Sequence, residues 1–454
     1  MVPVYQGYKN LIIGVFISNI LFSQIAVSDE TISDLYLGDN WVHQIQISPQ
    51  NNYRLENGDL LLGNQDYQSI SFSGYRLPTR GEDLPNKNDY CPTVAELKED
   101  MRIMAAMGIK LLRTYDTQFF DHATRLLEAI SQLKQANPNF EMYIMLGAWI
   151  QCEGAYTDKV DHTKEDEKTN IAEMNAAIKL AVKYPDIVKI IAVGNEAMVT
   201  WQAHWVSSEI ILKYVQYAKD AKTNPINGHL LPKNVLLTSS DNFAVWGAEE
   251  QYRKESLTKL LNEIDFISLH TYPFHDTHWN PGFWQLSKEE SKNSPEAITH
   301  SSMTAAFEHA VNQYNMVKDY LEQTDIIKPI HIGETGWATV DDHIFTTPGS
   351  GATDEIKMKL FYDAINKWAF MNNVSCFYFE AFNEPWKGGK VGSESHFGLF
   401  TVDGKAKYAL WNLVDNGFFD SVTRGGKPIT KTYDGNLQLL FKDLLLPPIK
   451  KNNK

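Results

Sequence analysis

Short apolar runs alternate along the chain with longer segments in which apolar residues recur every three or four positions. The runs have the length of β-strands, and the longer segments are typical of helices with one buried face. The predicted strands are Ile70–Arg76, Lys110–Asp116, Met142–Trp149, Val188–Asn195, Val235–Ser240, Phe266–Pro273, Pro329–Gly336 and Cys376–Phe382. The predicted helices are Val94–Met107, Ala123–Leu133, Ile171–Tyr184, Ile210–Ala221, Leu257–Ile264, Ala305–Leu321, Ile356–Met371 and a short helix beginning at Tyr408.

This strand-then-helix order predicts parallel strands joined by crossover helices. Eight such units close into a (β/α)8 TIM barrel, and a doubly wound open sheet is the competing arrangement. The open sheet usually carries a Gly-rich phosphate loop after an early strand, whereas the first turn here is Arg76-Leu77-Pro78-Thr79-Arg80-Gly81. We therefore predict an α/β fold, a (β/α)8 TIM barrel with an N-terminal extension and a short C-terminal tail, and no cofactor.

The two ends of the chain depart from the barrel pattern. Lys9, the apolar run at 11–22 and the small residues before Asp29 resemble a secretory signal peptide. The run is shorter than the roughly 20 residues of a membrane span, and a buried N-terminal strand or helix is the alternative. We predict a signal peptide at 1–26, an extension at 27–69 with a turn near Asn57-Gly58-Asp59, a catalytic domain at 70–415 and a C-terminal extension at 416–454. The mature protein is then secreted, periplasmic or on the cell surface, without a membrane span.

Composition and charge narrow the classes of function. The chain has 454 residues, of which 43% are hydrophobic, and 42 Lys+Arg against 56 Asp+Glu give a net charge of −14. This balance argues against nucleic acid as a partner. The 11 Trp, 21 Tyr and 22 Phe either fill the core or line a site for a flat, uncharged ligand. Cys91, Cys152 and Cys376 form no CxxC pair, and they could form one disulfide or remain three buried thiols. Separately, we expect the protein to be a monomer.

Two glutamates stand at the carboxyl ends of predicted strands, the end of a barrel that holds active sites. Glu196 follows the fourth strand and Glu334 lies near the end of the seventh. Ionised carboxylates avoid burial unless they are paired or used, so either glutamate could instead join Arg113 or a lysine in a buried ion network. Two carboxyls that converge across the barrel mouth favour glycoside hydrolysis, in which one protonates the leaving oxygen and the other attacks or activates water.

Several motifs surround this pair. They are Leu112–Asp116 in the second strand, Asn195-Glu196, Glu334-Thr335-Gly336-Trp337, Glu380–Lys387 in the eighth strand and Glu394–Phe400 after it. Together they resemble the family-17 glycoside hydrolases, retaining (β/α)8 glycosidases that include β-1,3-glucanases and transglycosylases. The resemblance extends from about residue 70 to about residue 411. The Asn-Glu pair alone is shared by many retaining barrel glycosidases, whereas the combination is specific.

The resemblance implies roles for particular residues. Glu196 would be the general acid/base, Glu334 the nucleophile, and Asn195 would hold the sugar 2-hydroxyl. The further positions that we expect to contact substrate are Arg113, Tyr115 and Asp116 in the second-strand motif, and Glu384, Lys387 and Glu394 around the eighth strand. Because apolar sugar faces pack on aromatic rings, we also expect Trp246, Tyr272 and Trp337 to contact sugar.

Two loops leave alternatives open. The charged loop at 151–170 is either a solvated surface or a wall at one end of the cleft. The loop after the sixth strand contains His270, His275, Asp276 and His278, which predict solvent or sugar contacts rather than a metal site, since nothing fixes metal-ligand spacing.

The sequence predicts a secreted, retaining, endo- or exo-acting β-1,3-glucan hydrolase with a laminarin-type substrate. A glucan transglycosylase with the same carboxylates is the main alternative. A β-1,4-acting barrel glycosidase and a non-catalytic glucan-binding protein rank below it.

Overall fold

A computed structural model describes residues 53–79 and 87–451, in which eight parallel strands form a closed barrel. The strands are β1 (Gln68–Ser71), β2 (Ile109–Arg113), β3 (Tyr143–Ala148), β4 (Val188–Asn195), β5 (Leu236–Asn242), β6 (Ile267–His270), β7 (Ile330–Thr335) and β8 (Cys376–Tyr378). Each strand pairs with the next, and β8 pairs with β1 through Ile70 and Tyr378. The predicted (β/α)8 barrel is confirmed, whereas the predicted signal peptide lies outside the described residues.

A helix follows each barrel strand. The helices are α1 (Val94–Ala106), α2 (His122–Ala136), α3 (Glu167–Lys183), α4 (Ser208–Asp220), α5 (Glu255–Glu263), α6 (Pro295–Gln323), α7 (Glu355–Met371) and the short α8 (Trp411–Asp415). Helix α6 begins well before its predicted start, because Ser294 caps it by accepting a hydrogen bond from the Ala297 backbone N–H and Pro295 suits the first helical position. Among the described residues, no helix combines the length and apolar character that a bilayer crossing requires.

Most strands end earlier than the apolar runs that predicted them, and β1, β2, β6 and β8 do so by three residues or more. Strand β6 stops at His270, and Pro273 begins a short helix, Pro273–Trp279, in the loop. Proline suits the first position of a helix because its ring fixes φ at a helical value and because an N–H there would have no partner within the helix. Strands β1 and β8 likewise stop at Ser71 and Tyr378. The residues beyond these ends are therefore free to turn towards the barrel mouth.

The N-terminal extension closes the opposite end of the barrel. Its chain turns at 57–59, where an antiparallel bridge joins Arg54 to Leu60 and Gly58 takes a φ of 90°. The buried side chains of this extension pack on inward-facing residues near the strand starts, among them Leu111 and Phe377. The extension residues in this cluster are Leu55, Leu61, Leu62 and Tyr67. Apolar packing thus fills the end of the barrel that faces away from Glu196 and Glu334.

The C-terminal segment lies against the barrel. Asp100 on α1 is fully buried and pairs with Arg76 and with Arg424 of this segment, at 2.9 and 3.0 Å. Near the end of the chain, the Leu286 N–H donates to the Pro448 carbonyl at 3.0 Å. The Lys450 N–H in turn donates to the Leu286 carbonyl at 2.8 Å. The C-terminal segment is therefore bound to the barrel as far as Lys450.

The cysteines lie apart in the fold. Cys91, Cys152 and Cys376 are all buried and free. The interpretation as three buried thiols is confirmed.

Candidate active site

A cleft of about 1590 Å³ opens at the carboxyl ends of the strands. All eight strand-to-helix loops contribute to its wall, for example through Ser73, Tyr115, Trp149, Glu196, Phe243, Tyr272, Phe345 and Lys387. Pockets for single small molecules occupy about 300–1,000 Å³, so this cleft has room for a segment of a larger chain. Within the closed ring of strands, the loops after β1 to β3 face those after β5 to β7 across the mouth.

Glu334 lies at the base of the cleft, near the end of β7, and only 5% of it is exposed. Arg113, at the end of β2, donates to its Oε1, and the same Nη1 contacts the Gly333 carbonyl at 3.1 Å. On the other side, the Tyr272 hydroxyl donates to Glu334 Oε2 at 2.8 Å. Both carboxylate oxygens are thus held by donors.

The environment of Glu334 favours the ionised carboxylate. Burial by itself would raise its pKa, but the charges of His270 and Arg113 and the hydrogen bonds from Tyr272 and Arg113 hold the pKa at about 2. A carboxylate that is ionised, buried and open to the cleft on one side has the properties of a nucleophile.

Glu196 follows β4 and has an unusual backbone, with a φ of 45°. Near the end of β4, Gly194 takes a φ of 80°, and an added Cβ there would meet Ile211 Cδ1 at 3.0 Å. The carboxyl accepts a hydrogen bond from Gln202 Nε2 at 2.6 Å, and His270 Nδ1 lies 3.0 Å from Oε1. Its neighbours are an amide and an imidazole, in contrast to the guanidinium beside Glu334.

The two carboxyl groups converge on His270, at the end of β6. One oxygen of Glu196, one of Glu334 and a ring nitrogen of His270 all lie within 4.8 Å of one another. Such a trio is close enough to hold a cation, but its atoms already have protein partners: Gln202 and His270 for Glu196, and Arg113 and Tyr272 for Glu334. His270 is itself positioned by Ser240, whose hydroxyl lies 2.8 Å from its Nε2.

The predicted residues of the second-strand motif and Asn195 lie at this centre. Arg113 Nη2 donates to Asn195 Oδ1 at 2.5 Å, so one guanidinium binds both the amide and Glu334. Its guanidinium carbon lies 4.7 Å from the Tyr115 ring centroid. Asp116 also lines the cleft.

The predicted polar residues around β8 form a buried ion network at one edge of the cleft. Lys387 Nζ lies 2.8 Å from a carboxylate oxygen of Glu380 and 2.8 Å from one of Glu384. Burial alone would lower the pKa of Lys387, but the two carboxyls raise it, so Lys387 remains a cation. Lys387 and Glu394 line the cleft, and Glu394 contacts His275 at 3.3 Å. Glu384 is fully buried and does not line it, so its predicted substrate contact is wrong.

The prediction of sugar contacts for Trp246 and Trp337 is wrong. Neither indole has any exposed area. The Trp246 Nε1–H donates to the Asp241 carbonyl at 3.2 Å, and the Trp337 Nε1–H donates to the Ala352 carbonyl at 2.8 Å. Both rings fill the core behind the cleft, where apolar neighbours and one carbonyl each satisfy them. Tyr272, by contrast, lies in the cleft wall, and its contact with sugar stays a prediction.

Other aromatic rings line the cleft. Trp201 and Trp279 are 59% and 67% exposed, and they stand in the loops after β4 and β6. Trp149 and Tyr156 belong to the loop after β3, part of which folds as the hairpin Cys152–Glu153 and Asp161–Glu165. This loop is therefore part of the cleft wall. No sequence motif marks Gln202 as a partner of Glu196. The position of His270 at the end of an apolar strand, by contrast, indicates that it lies at the barrel mouth.

Proteins that resemble this chain in sequence or in architecture include glycosidases and related enzymes. The BtgE/BtgC glycoside hydrolase domain matches residues 83–398. The structure of an endo-laminarinase from Formosa Hel1_33_131 has a TM-score of 0.81 and 49% sequence identity, covering 87% of this chain and 98% of that chain. A glucan 1,3-beta-glucosidase from Arthroderma benhamiae is 24% identical over 329 residues, which are 70% of this chain and 85% of that protein. A mutant β-1,3-glucanosyltransferase from Rhizomucor miehei shares the fold, at 18% identity and a TM-score of 0.51, covering 76% of this chain and 97% of that chain. The chain belongs to the BtgE/BtgC glycoside hydrolase family, and it is a glycosidase.

Proposed function

We propose that this protein hydrolyses β-1,3-glucan with retention of configuration, using Glu334 as nucleophile and Glu196 as general acid/base. The observation that carries the proposal is the approach of the two carboxyls, with an oxygen of each within 4.8 Å, at the base of a large cleft. Retaining pairs stand about 5–5.5 Å apart, whereas inverting pairs leave about 6.5–9.5 Å for a water molecule.

The mechanism proceeds in two displacements. In the first, the Glu334 carboxylate attacks the anomeric carbon while the Glu196 carboxyl gives its proton to the departing glycosidic oxygen, which leaves a glycosyl ester on Glu334. In the second, Glu196 removes a proton from water, the water oxygen attacks the same carbon, and the ester bond breaks to release the sugar and restore Glu334. Asn195 precedes Glu196 and shares the Arg113 guanidinium with Glu334, and its amide would bind the sugar 2-hydroxyl.

The substrate class follows from similarity and from the cleft. The Formosa enzyme, at 49% identity, is an endo-laminarinase, and the Arthroderma relative is a glucan 1,3-beta-glucosidase. The cleft runs across the catalytic pair, with exposed rings of Trp201 and Trp279 in different loops. A chain bound on both sides of the cleavage point favours endo action on laminarin-type glucan.

Incubation with laminarin tests the proposal. The wild-type protein should release short oligosaccharides of mixed length from the start, with the β-anomer formed first in NMR spectra. Glu334→Ala should abolish turnover, and Glu263→Gln, a change on the outer helix α5, serves as the control. Normal turnover by Glu334→Ala would remove Glu334 as nucleophile. Activity on cellulose or mannan without activity on laminarin would overturn the linkage, and products longer than the input would indicate transglycosylation.

The finer classification as a family-17 glycoside hydrolase is also a proposal. It rests on the motifs Asn195-Glu196 and Glu334-Thr335-Gly336-Trp337, together with the strand-eight segment. In support, Arg113 of the second-strand motif binds both Asn195 and Glu334. Export of the mature protein is proposed from Lys9 and the apolar run at 11–22 alone. A reporter fused to residues 1–30 should be exported, and retention of the reporter in the cytoplasm would contradict it.

A further inference from the structure

The backbone at Glu196 needs support from its surroundings. Its φ of 45° lies in the left-handed region, which L-residues with side chains rarely adopt. Such a conformation costs free energy and persists where several contacts hold it in place. The direction in which the Glu196 side chain leaves the backbone depends on this conformation, and so does its distance from the scissile oxygen.

The peptide unit that joins Asn195 to Glu196 is held at both of its polar ends. Its N–H, which belongs to Glu196, donates to the Ser240 carbonyl at 2.9 Å. Its carbonyl, which belongs to Asn195, lies 3.0 Å from His204 Nε2. Because a carbonyl only accepts, His204 carries a proton on Nε2. A third bond, from the Met198 N–H to Asp241 Oδ2 at 2.7 Å, holds the chain just beyond Glu196.

The ring of His204 is itself fixed on every side. Its Nδ1 lies 2.8 Å from the Tyr156 hydroxyl, which donates to the unprotonated nitrogen. The imidazole packs against two rings of the cleft wall, with centroids 4.4 Å from Trp149 and 5.6 Å from Tyr156. His204 is buried, and burial lowers its pKa, which keeps the ring neutral with this tautomer. A fixed ring gives a fixed hydrogen-bond donor.

We propose that His204 is a positioning residue for catalysis, which aims the Glu196 carboxyl by clamping the Asn195–Glu196 peptide to the aromatic wall of Trp149 and Tyr156. This inference rests on the proposed role of Glu196 as general acid/base. Without the Nε2–H, the peptide is held only through its N–H bond to Ser240, and its carbonyl end can rotate away from the left-handed conformation. The carboxyl then leaves the position from which it protonates the departing oxygen, while Glu334 stays bound to Arg113 and Tyr272.

Two variants separate the donor from the ring. His204→Phe keeps an aromatic ring beside Trp149 and Tyr156 but cannot donate a hydrogen bond. His204→Gln keeps a donor at nearly the same reach and loses the ring. The chain offers a matched control in His162, which stacks on Trp205 at 4.5 Å with its Nδ1 2.9 Å from a carbonyl and does not line the cleft. His162→Phe removes the same kind of bond at a second His–Trp pair.

The decisive measurement compares two leaving groups. Laminarin needs a proton on its leaving oxygen, whereas the 2,4-dinitrophenolate of an aryl β-laminaribioside leaves without one. For His204→Phe we expect the laminarin kcat to fall about 10-fold or more, with KM within about 3-fold, since general acid catalysis contributes about 10²–10⁴-fold. The pre-steady-state burst of dinitrophenolate, which reports attack by Glu334, should keep its rate within about 3-fold of wild type. His162→Phe should resemble wild type on both substrates.

Other results would overturn the inference. A His204→Phe protein that hydrolyses laminarin like wild type would overturn it, and so would one that loses both reactions to the same extent. If His204→Phe does not fold, His204→Gln decides: laminarin turnover within about 5-fold of wild type supports the donor role, and a larger loss contradicts it. Failure of the proposed function itself looks different, because wild type and His162→Phe would then cleave neither substrate.

Discussion

The hydroxyl of Tyr272 provides a direct test of how Glu334 is kept ionised. Tyr272→Phe removes one oxygen atom, which donates to Glu334 Oε2 at 2.8 Å. The ring should stay in place, since it packs against Phe379 and Phe397 with centroids 6.2 and 6.0 Å away. Arg113 still binds the other carboxylate oxygen, so the change isolates one hydrogen bond.

The size of the effect follows from that bond. A hydrogen bond to a charged group contributes about 1.5–3 kcal/mol, and about 1.4 kcal/mol corresponds to one pKa unit. The donor favours the charged form, so its loss raises the pKa of Glu334 from about 2 to about 3–4. A depressed carboxyl pKa stabilises the folded protein above the unfolded-state pKa, and this contribution is lost as pH falls towards the folded value. The variant should therefore lose part of this stabilisation at neutral pH and lose the rest over a narrower range, which ends at a higher pH than in wild type.

The pH dependence of kcat/KM on laminarin measures the shift. In the proposed mechanism the acid limb reports Glu334 in the free enzyme, and it should move upward by about 1–2 pH units in Tyr272→Phe. Tyr184→Phe is the control, because it deletes a hydroxyl that donates to Glu128 at 3.0 Å on the outside of the barrel. An acid limb that stays in place, or moves downward, would refute the assignment of Tyr272 as a determinant of the Glu334 pKa.

Three further substitutions test the packing behind the site. Lys357→Met should lower the free energy of unfolding by about 3–5 kcal/mol in urea titrations, because it leaves the buried Asp354 without its cation; adding Asp354→Asn should restore much of it, and no recovery would contradict this account. Gly333→Ala should lower kcat and Tm, since its Cβ would meet Ser268 Oγ at 2.0 Å, and Ser268 contacts the Ser240 hydroxyl that positions His270. The control Gly282→Ala should be neutral, because its Cβ would meet nothing within 4 Å. Trp337→Phe should destabilise by about 1–3 kcal/mol in the same titrations with an unchanged KM, because it leaves the Ala352 carbonyl without its donor; a raised KM at full stability would return Trp337 to the cleft.

The barrel and the carboxylate pair were predictable because their signals are local. Each buried parallel strand is a short apolar run, and the two glutamates interrupt such runs at the end where a barrel holds its active site. Glu196 and Glu334 are far apart in sequence, yet strand order alone places both at one rim. Helix boundaries were less predictable, since the start of α6 depends on the Ser294-Pro295 cap rather than on periodicity.

The division of aromatic residues between core and cleft was not predictable, because sequence spacing does not give side-chain direction outside regular elements. Trp337 follows β7 by two residues, and its ring lies among Phe274, Trp284 and Phe361 at centroid distances of 5.4–5.6 Å. Trp201 stands in a loop of similar composition and is 59% exposed. The contact of Gln202 with Glu196 was not predictable for the same reason, since the turn after β4 is what brings its amide to 2.6 Å from the carboxyl.

The spacing of the Glu196 and Glu334 carboxyls depends on barrel closure rather than on either glutamate alone. Arg113 on β2 binds Glu334 on β7 and Asn195 on β4, while His270 on β6 contacts both carboxyls, at 3.0 and 3.7 Å. Arg113 and His270 thus join the ends of these four strands across the mouth, because each contacts two of the other side chains. Nucleophilic attack and proton donation require the reacting groups to be placed within fractions of an ångström. The connected contacts supply that placement, which explains why an arginine and a histidine are buried here beside two acids.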